Sequence, residues 1–305
     1  MQYLVLGANG YIGSYLYKQM RIDGLNVIGT GHCRKGLEGL VNFDALNGSV
    51  LDITKLITDK EKTAIFCIAQ TNIDQCKVDY ELSRQINVIY TKRIIETLIH
   101  EKFHVIYFST DNVFDGIKGN YTEQDKQNAV NQYGKMKEEV EIFLTEKYPE
   151  VCIFRLPKVL GIEKEKQNLL TDLENRLSNG KVECIKNTRM SIVAKEDIYQ
   201  ACIIASERKL KGIYNLSSGD IYSRKELAEK FYGYLGVYDK YIIELELEKF
   251  EFKDMRPLNI NLDNSKFRRE TEYEFTSFDV LVKQYIAENL STEQLESRIR
   301  VKTDF

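Results

Sequence analysis

The chain of 305 residues carries 43 lysines and arginines against 46 aspartates and glutamates, a net charge of -3. Charges of both signs are mixed along it, which leaves no positive field to displace the counterions of a nucleic acid. No apolar run approaches the roughly 20 residues of a membrane helix, so nucleic-acid binders and membrane spans are excluded and a small-molecule partner is expected.

Cys33, Cys67, Cys76, Cys152, Cys184 and Cys202 are scattered, with neither a CxxC pair nor a histidine cluster to suggest zinc. Reduced thiols in a cytoplasmic protein are expected. The first residues show no basic leader, and YLVLG runs straight into glycine-rich sequence rather than a cleavage site.

In chain order, β-prone runs alternate with helical stretches: YLVLG, then residues 11–21, NVIGT, 49–60, AIFCIA, 73–100, HVIYFS, 130–148 and VCIFRL. This is the βαβ rhythm of a doubly wound parallel sheet. AIFCIA and HVIYF are apolar on both alternating sets, as strands sandwiched between helix layers are. The expected fold class is α/β, a Rossmann doubly wound parallel sheet with a smaller C-terminal substrate domain. Residues 1–155 form the dinucleotide-binding domain, with 186–215 returning to it, and 156–185 with 216–305 form the smaller one. Further helices are expected near 167–177, over 195–206 and from the capping residue Ser223. The charged segment 244–253 reads as a solvated connection or surface element rather than a site.

Gly7-Ala8-Asn9-Gly10-Tyr11-Ile12-Gly13 follows the first strand and opens a helix, the context a dinucleotide fingerprint requires. Its glycines allow a tight turn and let backbone N–H groups at the helix start meet a pyrophosphate. The second strand ends at Thr30 without the carboxylate that bonds a ribose 2′-hydroxyl, and Arg34 and Lys35 follow. Two cations there suit a 2′-phosphate, so NADP is expected ahead of NAD.

Tyr133 and Lys137 stand four residues apart and share one helix face. A free tyrosine ionises near pH 10, too high for efficient proton exchange, and a neighbouring ammonium is expected to bring it down. A hydroxyl at Ser109 or Thr110 is placed upstream to orient a substrate carbonyl. The order glycine turn, strand ending Ser109-Thr110-Asp111, then Tyr133 and Lys137 lets a nicotinamide and an acid converge at a switch point.

On these residues the sequence resembles the extended short-chain dehydrogenase/reductases, and within them the dTDP-4-dehydrorhamnose reductases. The resemblance rests on GANGYIG, Asp44, Ala69 with Thr71-Asn72-Ile73-Asp74, Asn87, the segment Ser109 to Gly116, Tyr121-Thr122-Glu123, Tyr133 to Lys137, Arg155 with Gly161, and Arg256-Pro257. It implies Thr110, Tyr133 and Lys137 as the catalytic set. It implies a cofactor site of Gly7, Asn9, Gly10, Tyr11, Ile12, Gly13, Thr30, Arg34, Asp44, Ala45, Ile68, Ala69, Gln70, Asn87, Ser109 and Lys137. Within that set Asp44 would contact the adenine, and Asn87 would be structural or relay protons. Thr110, Asp111, Lys158 and Arg256 are the implied substrate contacts.

Three departures bear on the substrate. Asn112 stands where these reductases usually carry tyrosine, residues 155–161 lack the expected aromatics, and Ala129 and Val130 replace the proline that usually precedes the YGxxK segment. The implied activity is NADPH-dependent reduction of a nucleotide-activated 4-keto sugar, compatible with a homodimer. Alternatives are a nucleotide-sugar epimerase and a non-catalytic NADP-binding regulatory subunit. A 4,6-dehydratase is disfavoured because Asn112 replaces the second carboxyl group that dehydration uses.

Overall fold

Along the first strand Tyr3 and Val5 pack into one hydrophobic cluster and Leu4 and Leu6 into another, so both faces of the strand are buried. Val105 and Tyr107 alternate with Ile106 and Phe108 in the same way. This pattern makes a central sheet covered by helices on each side. In this computed structural model residues 1–32, 39–164, 168–178, 181–236 and 242–290 are described.

The elements run β1 (Gln2–Leu6), α1 (Tyr11–Ile22), β2 (Asn26–Gly31), β3 (Val41–Asn42), α2 (Val50–Thr54), β4 (Lys62–Phe66), α3 (Ile73–Val78), α4 (Tyr80–Arg84), a π-helical turn (Gln85–Tyr90), α5 (Thr91–His100) and β5 (His104–Thr110). There follow α6 (Gln132–Lys147), β6 (Cys152–Leu156), β7 (Lys158–Leu160), α7 (Leu169–Ser178), β8 (Val182–Ile185), β9 (Ile192–Ala194), α8 (Lys195–Arg208) and β10 (Gly212–Asn215). Last come α9 (Arg224–Tyr234), β11 (Ile242–Leu245), α10 (Ser265–Thr271) and α11 (Phe278–Asn289). Seven strands form the central sheet in the order β10-β6-β5-β4-β1-β2-β3, with parallel pairing throughout. The chain reverses its direction of winding between β1 and β4, which opens a crevice at their carboxyl ends.

Of the segment expected to return to the nucleotide lobe, α8 packs residues such as Ile198 and Cys202 into its core and β10 joins the sheet beside β6. β9 instead pairs with β7 in a separate two-stranded sheet. A further cluster built from Leu160, Leu170, Phe231, Tyr232, Phe278 and Tyr285 lies outside the central sheet and organises the second lobe. Ser223 starts α9 with a reciprocal capping box, its hydroxyl accepting from the Glu226 N–H while Glu226 accepts from the Ser223 N–H.

Three local expectations are corrected. The helix expected over 49–60 stops at Thr54, because the Gln2 carboxamide oxygen captures the N–H groups of Thr58 and Asp59 at 2.9 and 3.2 Å and draws the chain toward β4. The stretch 73–100 is broken at Asp79, whose ψ of 61° is not helical, and widens into the π turn that carries Asn87. The segment 244–253 is not merely a solvated connection. Its first residues extend β11 against β8, and its last run back to Asp74, whose carboxylate accepts from the N–H groups of Lys253 and Asp254 at 2.8 and 3.1 Å.

Candidate active site

The glycine turn is built by close approach. Gly7 adopts a φ of +85°, and a side-chain carbon on Gly13 would sit 2.3 Å from the Gly7 carbonyl oxygen. These positions need glycine for backbone conformation and for space. The turn delivers the N-terminus of α1, which no side chain among the described residues caps, to one wall of a cavity of about 690 Å³. Gly10, Tyr11, Ile12 and Gly13 line that wall, and Ile68 and Ala69 continue it from the end of β4.

Thr30 is placed differently from the expectation. It is fully buried, and its hydroxyl accepts from the Gly7 N–H at 3.3 Å, so its side chain braces the turn instead of facing a ribose. Arg34 and Lys35 lie outside the described residues. Asp44 holds its carboxylate below the usual range by accepting from Asn47 at 2.7 Å and from the Leu46 N–H at 2.9 Å. Ala45 follows it, bordering a smaller neighbouring depression, and Asn9 is exposed beside Gly31.

Asn87 is fully committed. Its oxygen accepts from the Gln70 N–H and its amide donates to the Gln70 carbonyl, both at 2.8 Å. The π turn therefore clamps the loop after β4. Of the two roles implied for Asn87, the structural one matches this geometry, since both polar ends are spent on Gln70.

At the end of β5, Ser109, Thr110 and Asp111 enter the cavity together, facing Tyr133 and Lys137 from α6. Asn131 starts that helix by accepting from the Gly134 N–H at 2.8 Å, and Gly134 is needed there because a side-chain carbon would lie 2.1 Å from the Asn112 carbonyl oxygen. The Tyr133 phenol faces the Thr110 hydroxyl, and Thr110 donates to Asp111 Oδ1 at 3.0 Å. Lys137 Nζ donates to the Phe108 carbonyl at 2.8 Å and stands 4.6 Å from the centre of the Tyr107 ring.

The electrostatics of Tyr133 differ from the expectation drawn from the YxxxK spacing. Burial pushes the phenol above its ordinary value, and the Asp111 carboxylate pushes it further. Burial also lowers the Lys137 ammonium to about 8. The lysine is turned to Phe108 rather than to the phenol, so Tyr133 is held as a protonated donor. Asp111 is pushed up to about 6 by burial, against its hydrogen bonds from Thr110 and Asn112.

The second lobe supplies the opposite wall. Lys158 from β7 and Arg224 from the start of α9 line it, each with its pKa lowered chiefly by burial. Arg256 also lines it, paired with Asp74 at 2.9 Å and stacked 4.3 Å from the Phe252 ring centre. Arg224 and Phe252 were missed in the sequence. Arg224 follows the recognised cap at Ser223, which marked a helix start but not what that helix faces. Phe252 sits in the charged segment read as a connection.

A nicotinamide dinucleotide fits this arrangement. The uncapped helix start suits a pyrophosphate, and the buried Ser109 hydroxyl has no hydrogen-bond partner among the described residues although it lines the cavity. Among the described residues no group of three or more His, Cys, Asp and Glu is arranged to hold a metal, and no helix is long and apolar enough to cross a membrane.

Residues 1–291 match the family described as the RmlD substrate binding domain. Methionine adenosyltransferase 2 subunit beta of Xenopus laevis is 27% identical over 237 residues, 74% of this chain and 69% of that protein. A dTDP-4-dehydrorhamnose reductase of Clostridium acetobutylicum superposes with a TM-score of 0.80 at 25% identity, covering 94% of this chain and 99% of that one. The reductase of Bacillus anthracis crystallised with NADP shares the fold, with a TM-score of 0.81 at 20% identity over 95% of this chain and all of that one.

Proposed function

The chain belongs to the RmlD substrate-binding-domain family, and from that premise we propose that it reduces the keto group of a nucleotide-activated sugar with NADPH. The observation that carries this reading is the convergence of Thr110, Tyr133 and Lys137 on one wall of the cavity that the glycine turn also lines. Binding alone has no need of a proton donor there. The NADP named with the B. anthracis reductase agrees with the cations expected after Thr30.

The bound dinucleotide would supply hydride to the carbonyl carbon. The chain's own residues handle the proton and the geometry. Tyr133 gives its phenolic proton to the oxygen that gains charge. The Thr110 hydroxyl orients the same oxygen. Lys137, tied to the Phe108 carbonyl, places an ammonium where the nicotinamide ribose would rest. Lys158 and Arg224 put positive charge on the wall that a nucleotide sugar would meet.

NADPH oxidation across a panel of nucleotide-linked 4-keto sugars tests the reading. Turnover with at least one sugar is expected, and none with any of them would overturn it. A second reading, a dinucleotide-binding subunit of another enzyme, is favoured by the names of the vertebrate relatives. It requires NADPH to bind without being consumed. An epimerase would copurify with its cofactor and interconvert sugars without net oxidation.

A further inference from the structure

Among the described residues that line the cavity, the cationic side chains are Lys137, Lys158, Arg224 and Arg256. Lys137 is tied to the Phe108 carbonyl and Arg256 to Asp74. The side chains of Lys158 and Arg224 have neither a hydrogen bond nor an ion pair among the described residues. The carboxylates that act on them are engaged elsewhere. Asp111 accepts from Thr110 and Asn112, and Asp172 accepts from Arg176 at 2.9 Å. Lys158 is exposed, but the space it is exposed to is the cavity. Cations held off from every protein carboxylate are stabilised by an anionic ligand.

The strands fix where each cation stands. Thr110 is paired with Leu156 across β5 and β6, and Lys158 comes two residues after Leu156. Its Cα therefore lies within about 7 Å of that of Thr110's neighbour in the sheet, a distance the lysine side chain spans. Arg224 is further along the same wall. Lys158 pairs with Ile192, Met190 is bridged to Tyr222, and the Arg224 N–H donates to Thr188 Oγ1 at 3.0 Å. Lys158 thus adjoins the reacting carbonyl, whereas Arg224 stands away from it.

We propose that Lys158 binds a carboxylate carried by the sugar itself, beside the carbonyl that is reduced, while Arg224 takes the diphosphate that joins sugar to nucleoside. The substrate class is then a nucleotide-linked sugar acid. This deepens the reductase reading above and rests on it.

The chemistry of the two side chains fits this division. A planar guanidinium with several donors matches phosphate oxygens, and a single ammonium matches the one charge of a carboxylate. Residues 155–161 also offer no aromatic ring to the apolar face of an uncharged deoxysugar, and place Pro157 and Lys158 there instead.

Calorimetric titration of the full-length protein loaded with NADP+ tests the assignment with matched pairs. UDP-glucuronate is compared with UDP-glucose, dTDP-glucuronate with dTDP-glucose, and GDP-mannuronate with GDP-mannose. The members of a pair share nucleoside, diphosphate and ring, and differ only in a carboxylate against a hydroxymethyl group. In at least one pair the sugar acid should bind about tenfold or more tightly, the scale of one charge-assisted hydrogen bond. Lys158→Met should bring that ratio down to about one, and Lys158→Arg should retain most of it. Arg224→Met should weaken both members together, along with the nucleoside diphosphate alone.

Equal affinity within every pair that binds overturns the carboxylate site and leaves the reductase reading standing, and this outcome needs no variant to fold. Equal weakening of both members by Lys158→Met also overturns it, because Lys158 would then serve the diphosphate. Failure of every one of these ligands to bind overturns both the carboxylate site and the nucleotide-sugar reading. A protein that prefers the sugar acid but oxidises no NADPH with any keto sugar loses the reductase reading and keeps the site.

Discussion

A side-chain carbon on Gly13 would lie 2.3 Å from the carbonyl oxygen of Gly7, whereas one on Gly10 would meet that oxygen at 3.3 Å and nothing else nearby. The two glycines therefore do different work, one for the packing of the turn and one for the ligand side. Gly13→Val should cost at least the ~1–3 kcal/mol typical of overpacking, read as a lower urea midpoint. Gly10→Val should leave the midpoint nearly unchanged and abolish NADPH binding by calorimetry. Retained binding in folded Gly10→Val would remove this loop from the cofactor site.

Cofactor choice follows from the missing carboxylate after β2. NADPH should bind more tightly than NADH, and Arg34→Ala should narrow the gap by roughly the 1.5–3 kcal/mol of a charge-assisted hydrogen bond. Calorimetric titration with both dinucleotides decides it, and a preference for NADH would refute the assignment.

Tyr133→Phe removes only the phenolic oxygen and keeps the ring in its packed position. Turnover of a keto sugar should fall by roughly 10²- to 10⁴-fold, with NADPH affinity almost unaffected. Near-normal reduction by this variant would transfer the donor role to another group.

The buried charges of the site also set a pH dependence of stability. Lys137 has a folded value near 8, below its ordinary 10.5, so between those values the unfolded chain binds more protons and stability rises with pH. Asp111 has a folded value near 6, above its ordinary 3.8, so the native state binds more protons there and stability falls as pH climbs from about 4 to 6. Lys137→Met should then be more stable than the parent at pH 7, with the advantage shrinking above pH 8, while losing both turnover and cofactor affinity. Denaturant titrations at pH 7 and 10 give the sign.

Arg155 and Glu141 form an ion pair with almost no exposed surface, closed by contacts of 2.7 and 3.1 Å. Removing one partner leaves the other charge buried and unpaired. Glu141→Ala should destabilise the protein by about 3–5 kcal/mol, whereas the double change Glu141→Leu with Arg155→Met should cost much less. Urea unfolding of the three variants checks the order.

The sequence by itself determined what depends on near neighbours along the chain. Alternating apolar residues in YLVLG and HVIYF carry both faces of a strand, GANGYIG carries a strand-to-helix turn, and a four-residue spacing puts Tyr133 and Lys137 on one helical face. A helix end was less legible where Gln2 competes for the backbone at Thr58, and so was the course of the charged segment where Asp74 holds Lys253. Only the tertiary structure decided the chemistry of the site. Burial keeps Tyr133 protonated, the Phe108 carbonyl turns Lys137 away from it, Thr30 faces inward to Gly7, and Arg224 and Phe252 arrive from the second lobe. Desolvation and charge coupling depend on what packs around a group, and those neighbours lie tens to more than a hundred residues away, beyond the reach of any local pattern.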